Sequence, residues 1–200
     1  MKKLAIAASL LTCTSVFAGE KNWMQITSGD SNGPSRFSDL AIEGGIYFLD
    51  NLYARGQYID SKESSGGFDN NAVYFSHKVI EAGFTAPISE STGLELGLIH
   101  HAFSYRHIEK GGVRLPGTYT DGSQTGEGFG IRLIYQPTNT AEVSVGYARM
   151  YYQLATNNAY QADIKQFFTP NIYGVAGYTE IRRADLKGDS WKLGIGYLFN

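Results

Sequence analysis

The sequence predicts an all-β fold: an antiparallel, up-and-down β-barrel of ten strands, with eight as the alternative. Three observations predict it. Apolar and polar residues alternate with a period of two through nearly all of the chain after residue 20, as strands with one covered face do. Glycine is abundant and proline scarce, at 24 and 5 of 200 residues, and tyrosine leads the aromatics at 14. The alternating segments are even in number, and short and long connections take turns between them. Composition also excludes several classes. With 17 Lys+Arg against 19 Asp+Glu, no basic surface for nucleic acid is expected. No apolar run reaches the ~20 residues of a spanning helix. The lone cysteine, Cys13, excludes a disulfide framework and a Cys-rich zinc site.

Residues 1–18 precede the fold. Lys2 and Lys3 form a positive start, Leu4 to Val16 an apolar stretch, and Val16-Phe17-Ala18 puts small residues at the −3 and −1 positions of a cleavage site, as a secretory signal requires. Residues 19–200 are then one barrel domain, with 15 basic and 19 acidic groups once Lys2 and Lys3 are gone. Cys13 would leave with the signal, which suits an exported chain. Leu10-Leu11-Thr12-Cys13 is a poor lipidation site, because Thr12 stands where such sites want Gly, Ala or Ser.

The segments follow in order. The first, 21–28, alternates most weakly. In 37–48, Leu40, Ile42, Gly44, Ile46 and Phe48 oppose Asp39, Ala41, Glu43, Gly45 and Tyr47. Asp50-Asn51 supplies turn chemistry before 52–60, whose polar face holds Arg55 and Gln57. A Gly/Ser/Asp/Asn-rich loop, 61–71, leads to 72–86 with Glu81 and Gly83, and a connection over 87–92 leads to 93–108 with Glu95 and Gly97. The longest loop, 109–125, precedes 126–136, where Phe129, Ile131, Leu133 and Tyr135 oppose Gly128, Gly130, Arg132, Ile134 and Gln136. Pro137-Thr138-Asn139 turns the chain into 141–153, with Glu142 and Gly146 on the polar face. The eighth segment, 159–168, is weak in its first half but carries Asp163 and Lys165. Pro170-Asn171 turns into 172–182, and a loop over 183–189 leads to the cleanest segment, 190–199. There Trp191, Leu193, Ile195, Tyr197 and Phe199 oppose Ser190, Lys192, Gly194, Gly196 and Leu198.

Which face points inward decides the environment. The polar face collects Glu43, Arg55, Glu81, Glu95, Arg132, Glu142, Asp163, Lys165 and Lys192, five acids and four bases, together with a row of glycines. Balanced charges pair in a closed space, and small residues make room in a crowded one. Facing lipid, each base would cost ~2–4 kcal/mol at the bilayer midplane. The reading is therefore a transmembrane barrel with these nine residues lining the lumen and the apolar face outward. Aromatics near strand ends form two girdles: Tyr47, Phe48, Phe84, Tyr135, Phe168, Tyr197 and Phe199 toward the short turns, and Tyr58, Phe129, Tyr147, Tyr178 and Trp191 toward the long loops. Lys78, Arg106, Arg149 and Glu180 break the parity near the long-loop ends, where basic side chains snorkel to the interface.

Asn22-Trp23, Ala41-Ile42-Glu43-Gly44-Gly45-Ile46-Tyr47, Asp50-Asn51-Leu52-Tyr53, Glu81-Ala82-Gly83-Phe84, Thr169-Pro170-Asn171 and Val175-Ala176-Gly177-Tyr178 follow one another in the chain. Their order resembles the small outer-membrane β-barrel proteins grouped with the OmpA-type transmembrane domain and the porin-like barrels. The end of the chain, with Trp191, Tyr197 and Phe199, resembles the C-terminal signal read by the barrel-assembly machinery; Asn200 departs from the usual aromatic terminus. The resemblance implies the outer membrane of a Gram-negative bacterium, outer-membrane lipids and lipopolysaccharide as surroundings, and a monomer; no wall-binding domain is expected after the barrel in this sequence.

Candidate chemistry is sparse. His77, His100, His101 and His107 gather toward one end, and acids recur in the loops (Asp30, Asp60, Glu63, Asp69, Asp121, Asp185, Asp189). Nucleophilic catalysis needs a base and an orienting group in reach, and no such spacing stands out. No catalytic residue, metal or cofactor is assigned. The expected function is a structural or narrow-pore barrel with a charge-paired lumen. The alternatives are surface recognition through loops 61–71 and 109–125 (Phe68, Arg114, Leu115, Tyr119), and a lipid-modifying or proteolytic enzyme using His101 and Ser104.

Overall fold

A computed structural model describes residues 22–32, 36–48, 51–63, 71–109, 122–152, 156–183 and 186–199. The chain forms ten strands: β1 (Asn22–Asn32), β2 (Arg36–Phe48), β3 (Leu52–Glu63), β4 (Asn71–Ser89), β5 (Thr92–Glu109), β6 (Gly122–Thr138), β7 (Ala141–Tyr152), β8 (Thr156–Phe167), β9 (Ile172–Arg183) and β10 (Leu186–Phe199). Each pairs antiparallel with its neighbour in sequence, and β1 pairs with β10, from Asn22 opposite Phe199 to Asn32 opposite Asp189, so the sheet closes. Closure leaves no unpaired edge, which a barrel in lipid requires.

The strands begin and end close to where the alternation does, with one consistent difference. Most run farther toward the loops. Gly122, Ser123, Gln124 and Thr125 pair with Tyr105, Ser104, Phe103 and Ala102; by composition they belong to a loop. Backbone ladders need no apolar side chains, so polar strand ends are invisible to a hydrophobic pattern. The connections shrink accordingly. Only Glu90 and Ser91 separate β4 from β5, with a register shift between Pro87 and Ser89. A second shift lies between Tyr135 and Thr138, around Pro137. Proline has no N–H to give a ladder, so it sits at such irregularities. At the same end, which we call the turn end, Thr169 Oγ1 accepts from Ile172 N at 2.9 Å and Asn171 Nδ2 donates to the Leu198 carbonyl at 2.9 Å.

Residues 1–18, most of loops 61–71 and 109–125, and the side chains of Arg106 and His107 lie outside the described residues. The outward face is apolar along the strands: Leu98 is 75% exposed and Leu193 69%, with Ile80, Ile88, Ile164 and Ile195 also beyond half. A continuous exposed belt of this kind is foreign to a water-soluble monomer.

Candidate functional site

Period-two geometry puts every second side chain inside the barrel. Glu43, Arg55, Glu81, Glu95, Arg132, Glu142, Asp163, Lys165 and Lys192 line the interior, and in the turn-end half ion pairs form among them. Arg55, the fourth residue of β3, is the hub. Its guanidinium lies 2.5 Å from Glu81 of β4, 3.5 Å from Glu95 of β5 and 4.0 Å from Glu43 of β2. Glu95 also faces Arg132 of β6 at 3.9 Å, and Arg132 donates to Gln161 of β8 at 3.3 Å. Gln161 donates to Asp163 at 2.5 Å, and Lys192 of β10 reaches Asp163 at 3.0 Å. A second pair, Lys165–Glu142 at 2.7 Å, lies nearer the turns, with Gln136 donating to Glu142 at 3.3 Å. Glu95 keeps 1% of its side chain exposed and Arg55 9%. Charges this deep are tolerable only when paired and hydrogen-bonded.

Three aromatic side chains complete the layer, and the periodicity alone did not single them out. Tyr53 donates to Glu81 at 2.5 Å, Tyr173 donates to Gln25 at 3.1 Å, and Gln25 donates to Glu43 at 2.9 Å. Trp23 and Tyr173 both lie beneath the Lys165 ammonium, at 5.3 and 5.4 Å from ring centre to nitrogen, a cation–π arrangement. Tyr173 is fully buried. It fits because Gly196 stands directly opposite it on β10, where any Cβ would overlap its ring. Gly97 likewise leaves space for Tyr53 and Glu81. The signal that could have found Tyr53 is its parity with Arg55, and for Tyr173 it is the glycine row.

One aromatic differs from the girdle reading. Tyr47 points inward, and its hydroxyl donates to Glu95 at 2.7 Å. Its register already sets it beside Glu43 and Gly45, so proximity to a turn was the weaker guide. The outward aromatics include a Phe129–Tyr147–Tyr160 group and the Tyr178–Trp191 pair. Glu180, in the outward register, pairs with Arg182.

The charged layer divides the interior. On its turn side remains a space of about 40 Å³, and on its loop side a cavity of about 490 Å³; Glu43 and Arg132 contribute to both walls. The loop-side wall is largely apolar, with Ile59, Val79, Ile99 and Met150 among its side chains. That departs from a uniformly polar lumen. Phe75 stacks on Phe103 at 5.4 Å, and His77 meets both Phe103 and His101 edge-on.

Among the described residues, His77, His100 and His101 do not converge as a hydrolytic or metal constellation. His101 is fully buried inside, whereas His100 faces outward. Ser104 is outward too, hydrogen-bonded to Ser76 at 2.9 Å. A spacing of three along a strand puts His101 and Ser104 on opposite faces, so they cannot act as base and nucleophile. Among the described residues, no group of three or more His, Cys, Asp and Glu converges as a metal site would.

No family model and no curated protein matches this chain. Solved structures do. An outer membrane channel from Pseudomonas putida F1 superposes with a TM-score of 0.53 at 10% identity, covering 94% of this chain and 98% of the channel. The translocator domain of the autotransporter NalP from Neisseria meningitidis gives 0.51 at 11% identity, over 99% and 94%. The NanC porin gives 0.50 at 10% identity, over 87% and 98%. The chain is a closed antiparallel ten-stranded barrel, and its structural neighbours are outer-membrane barrels.

Proposed function

We propose that this chain is an integral outer-membrane barrel with a structural, non-conducting or barely conducting role, its lumen closed by the charged layer centred on Arg55. The observation that carries the reading is the opposition of the two faces: exposed leucine and isoleucine outside, and Arg55 held by three carboxylates inside. A ten-stranded barrel lies near the size at which side chains fill the interior. It needs no chemistry of its own, and no catalytic group is assigned. Its surroundings are outer-membrane lipids, with lipopolysaccharide in the outer leaflet. Its chain enters the membrane through the assembly machinery, which reads outward-facing Trp191, Tyr197 and Phe199.

Planar-bilayer recording tests the closed lumen. The wild-type barrel should give no steps or only small ones, and the double variant Arg55→Ala/Arg132→Ala should give larger ones. Large, stable steps from the wild type would overturn the reading.

A second reading has one observation in its favour. Strands β4, β5 and β6, with 19, 18 and 17 residues, exceed the ~9–11 residues that cross a bilayer. Their loop-side ends reach beyond a bilayer's thickness, where a recognition surface would sit. Deleting 110–121 without any change in cell-surface binding would remove it.

A further inference from the structure

The loop-side cavity has an apolar wall and a charged floor, and the two ends of that contrast suggest an occupant. On β4 and β5 the wall is aromatic: Phe75 and Phe103 stack at 5.4 Å with 28° between their planes, and His77 adds its edge at 6.3 Å from Phe103. Ile99 and Met150 continue the apolar surface downward. At the bottom the ions are unequally covered. Glu43, Arg55 and Glu81, which line the floor, keep 8–9% of their side chains exposed, whereas Arg132 keeps 17% and Lys192 16%. The two most exposed of these floor ions are therefore cations. Arg132 also has donors to spare. A guanidinium carries five N–H groups, and among the described residues Arg132 has the 3.3 Å bond to Gln161 and a 3.9 Å approach to Glu95. The acids on the loop side, Asp39 of β2 and Asp189 of β10, stand on the arc of the ring away from the β4–β5 aromatic wall.

We propose that this cavity binds a single-chain anionic amphiphile of medium length, its carboxylate on Arg132 and Lys192 and its hydrocarbon chain along Phe75, Phe103 and Met150. The volume of about 490 Å³ falls within the ~300–1,000 Å³ of small-molecule sites and is too small for a two-chain lipid. The opposite polarity is disfavoured. A cationic head at the floor would meet the exposed faces of Arg132 and Lys192, and one at the rim would drive the tail onto ions. The site rests on the closed floor proposed above, because an open lumen would give the head group no end wall.

Equilibrium dialysis of radiolabelled decanoate against the full-length barrel in zwitterionic lipid nanodiscs tests it, with empty nanodiscs as the reference. Saturable uptake at one site per barrel, above the empty discs, is the expected result. Arg132→Gln should weaken decanoate about tenfold, as loss of a charge-assisted hydrogen bond does, and leave 1-decanol unchanged. Ala148→Trp, which fills the cavity from β7, should abolish uptake of both in a barrel that still shifts on heating in gels. Uptake no greater than that of empty discs, an unchanged affinity in folded Ala148→Trp, or decyltrimethylammonium binding as tightly as decanoate would each overturn the proposal. Conductance of the same samples separates the two readings. A conducting wild type sinks the closed floor and, with it, the site that rests on it; a silent barrel without uptake sinks this site alone.

Discussion

Arg55 faces three carboxylates, Glu43, Glu81 and Glu95, with almost no water to share the charge. Burying ions gains little overall, but removing one partner leaves the others uncompensated. Arg55→Met should therefore destabilise the barrel by about 3–5 kcal/mol, read as a lower urea midpoint in lipid vesicles. Replacing a partner carboxylate by an amide, as in Glu43→Gln, should cost less, since Gln25 and Gln57 can still hydrogen-bond there. Gly97 makes a different point. A Cβ on it would stand 2.5 Å from the Tyr53 hydroxyl and 2.6 Å from a Glu81 oxygen, both held by the network. Gly97→Val should lose about 1–3 kcal/mol by overpacking, and Gly56→Ala, whose Cβ would meet nothing within 4 Å, should lose far less. The charged members of this layer were legible because strand parity puts like positions together. Tyr53, Tyr173 and Trp23 were not, because an aromatic residue suits either a girdle or a plug, and only its neighbour across the ladder tells which.

At the scale of the strand, the exposed belt has a measurable price in lipid. Leu98, near the middle of β5 and 75% exposed, should cost about 2–4 kcal/mol when changed to lysine, and the same method of vesicle unfolding would show it. A lysine at Ser104, farther along the same face toward the loops, should cost under about 1 kcal/mol because it reaches the interface. The last strand carries a kinetic prediction instead. Phe199→Ala should slow insertion by the assembly machinery in cells while leaving refolding from urea into vesicles nearly unchanged. Strand existence was legible from alternation in all ten, including the weak first and eighth. Strand ends were not, because residues such as Ser123, Gln124 and Asp189 read as loop by composition yet extend the ladders. The apolar loop-side wall escaped for a related reason: Phe75, Phe103 and Met150 look like lipid-facing residues until the register assigns them inward.

For the whole molecule, the closed sheet is the source of stability. Each strand is hydrogen-bonded on both sides, so no edge can fray before the ring opens. The detergent-extracted protein should run on gels as a compact species without boiling and shift after it; identical migration under both conditions would contradict a closed barrel. The interior is a cup over a plug rather than a tube, with about 490 Å³ on one side of the layer and about 40 Å³ on the other.

The pairing of Asn22 with Phe199 has one more consequence. Because the first and last strands are ordinary neighbours, the ring has no privileged seam. A circular permutant that links the two ends with a tight turn and opens the chain between β5 and β6 would keep every ladder. It should refold unaided in vitro, yet fail to be delivered in cells, since its new final strand would end at Glu109 in place of the aromatic tail. Architecture and biogenesis would thereby come apart in a single molecule.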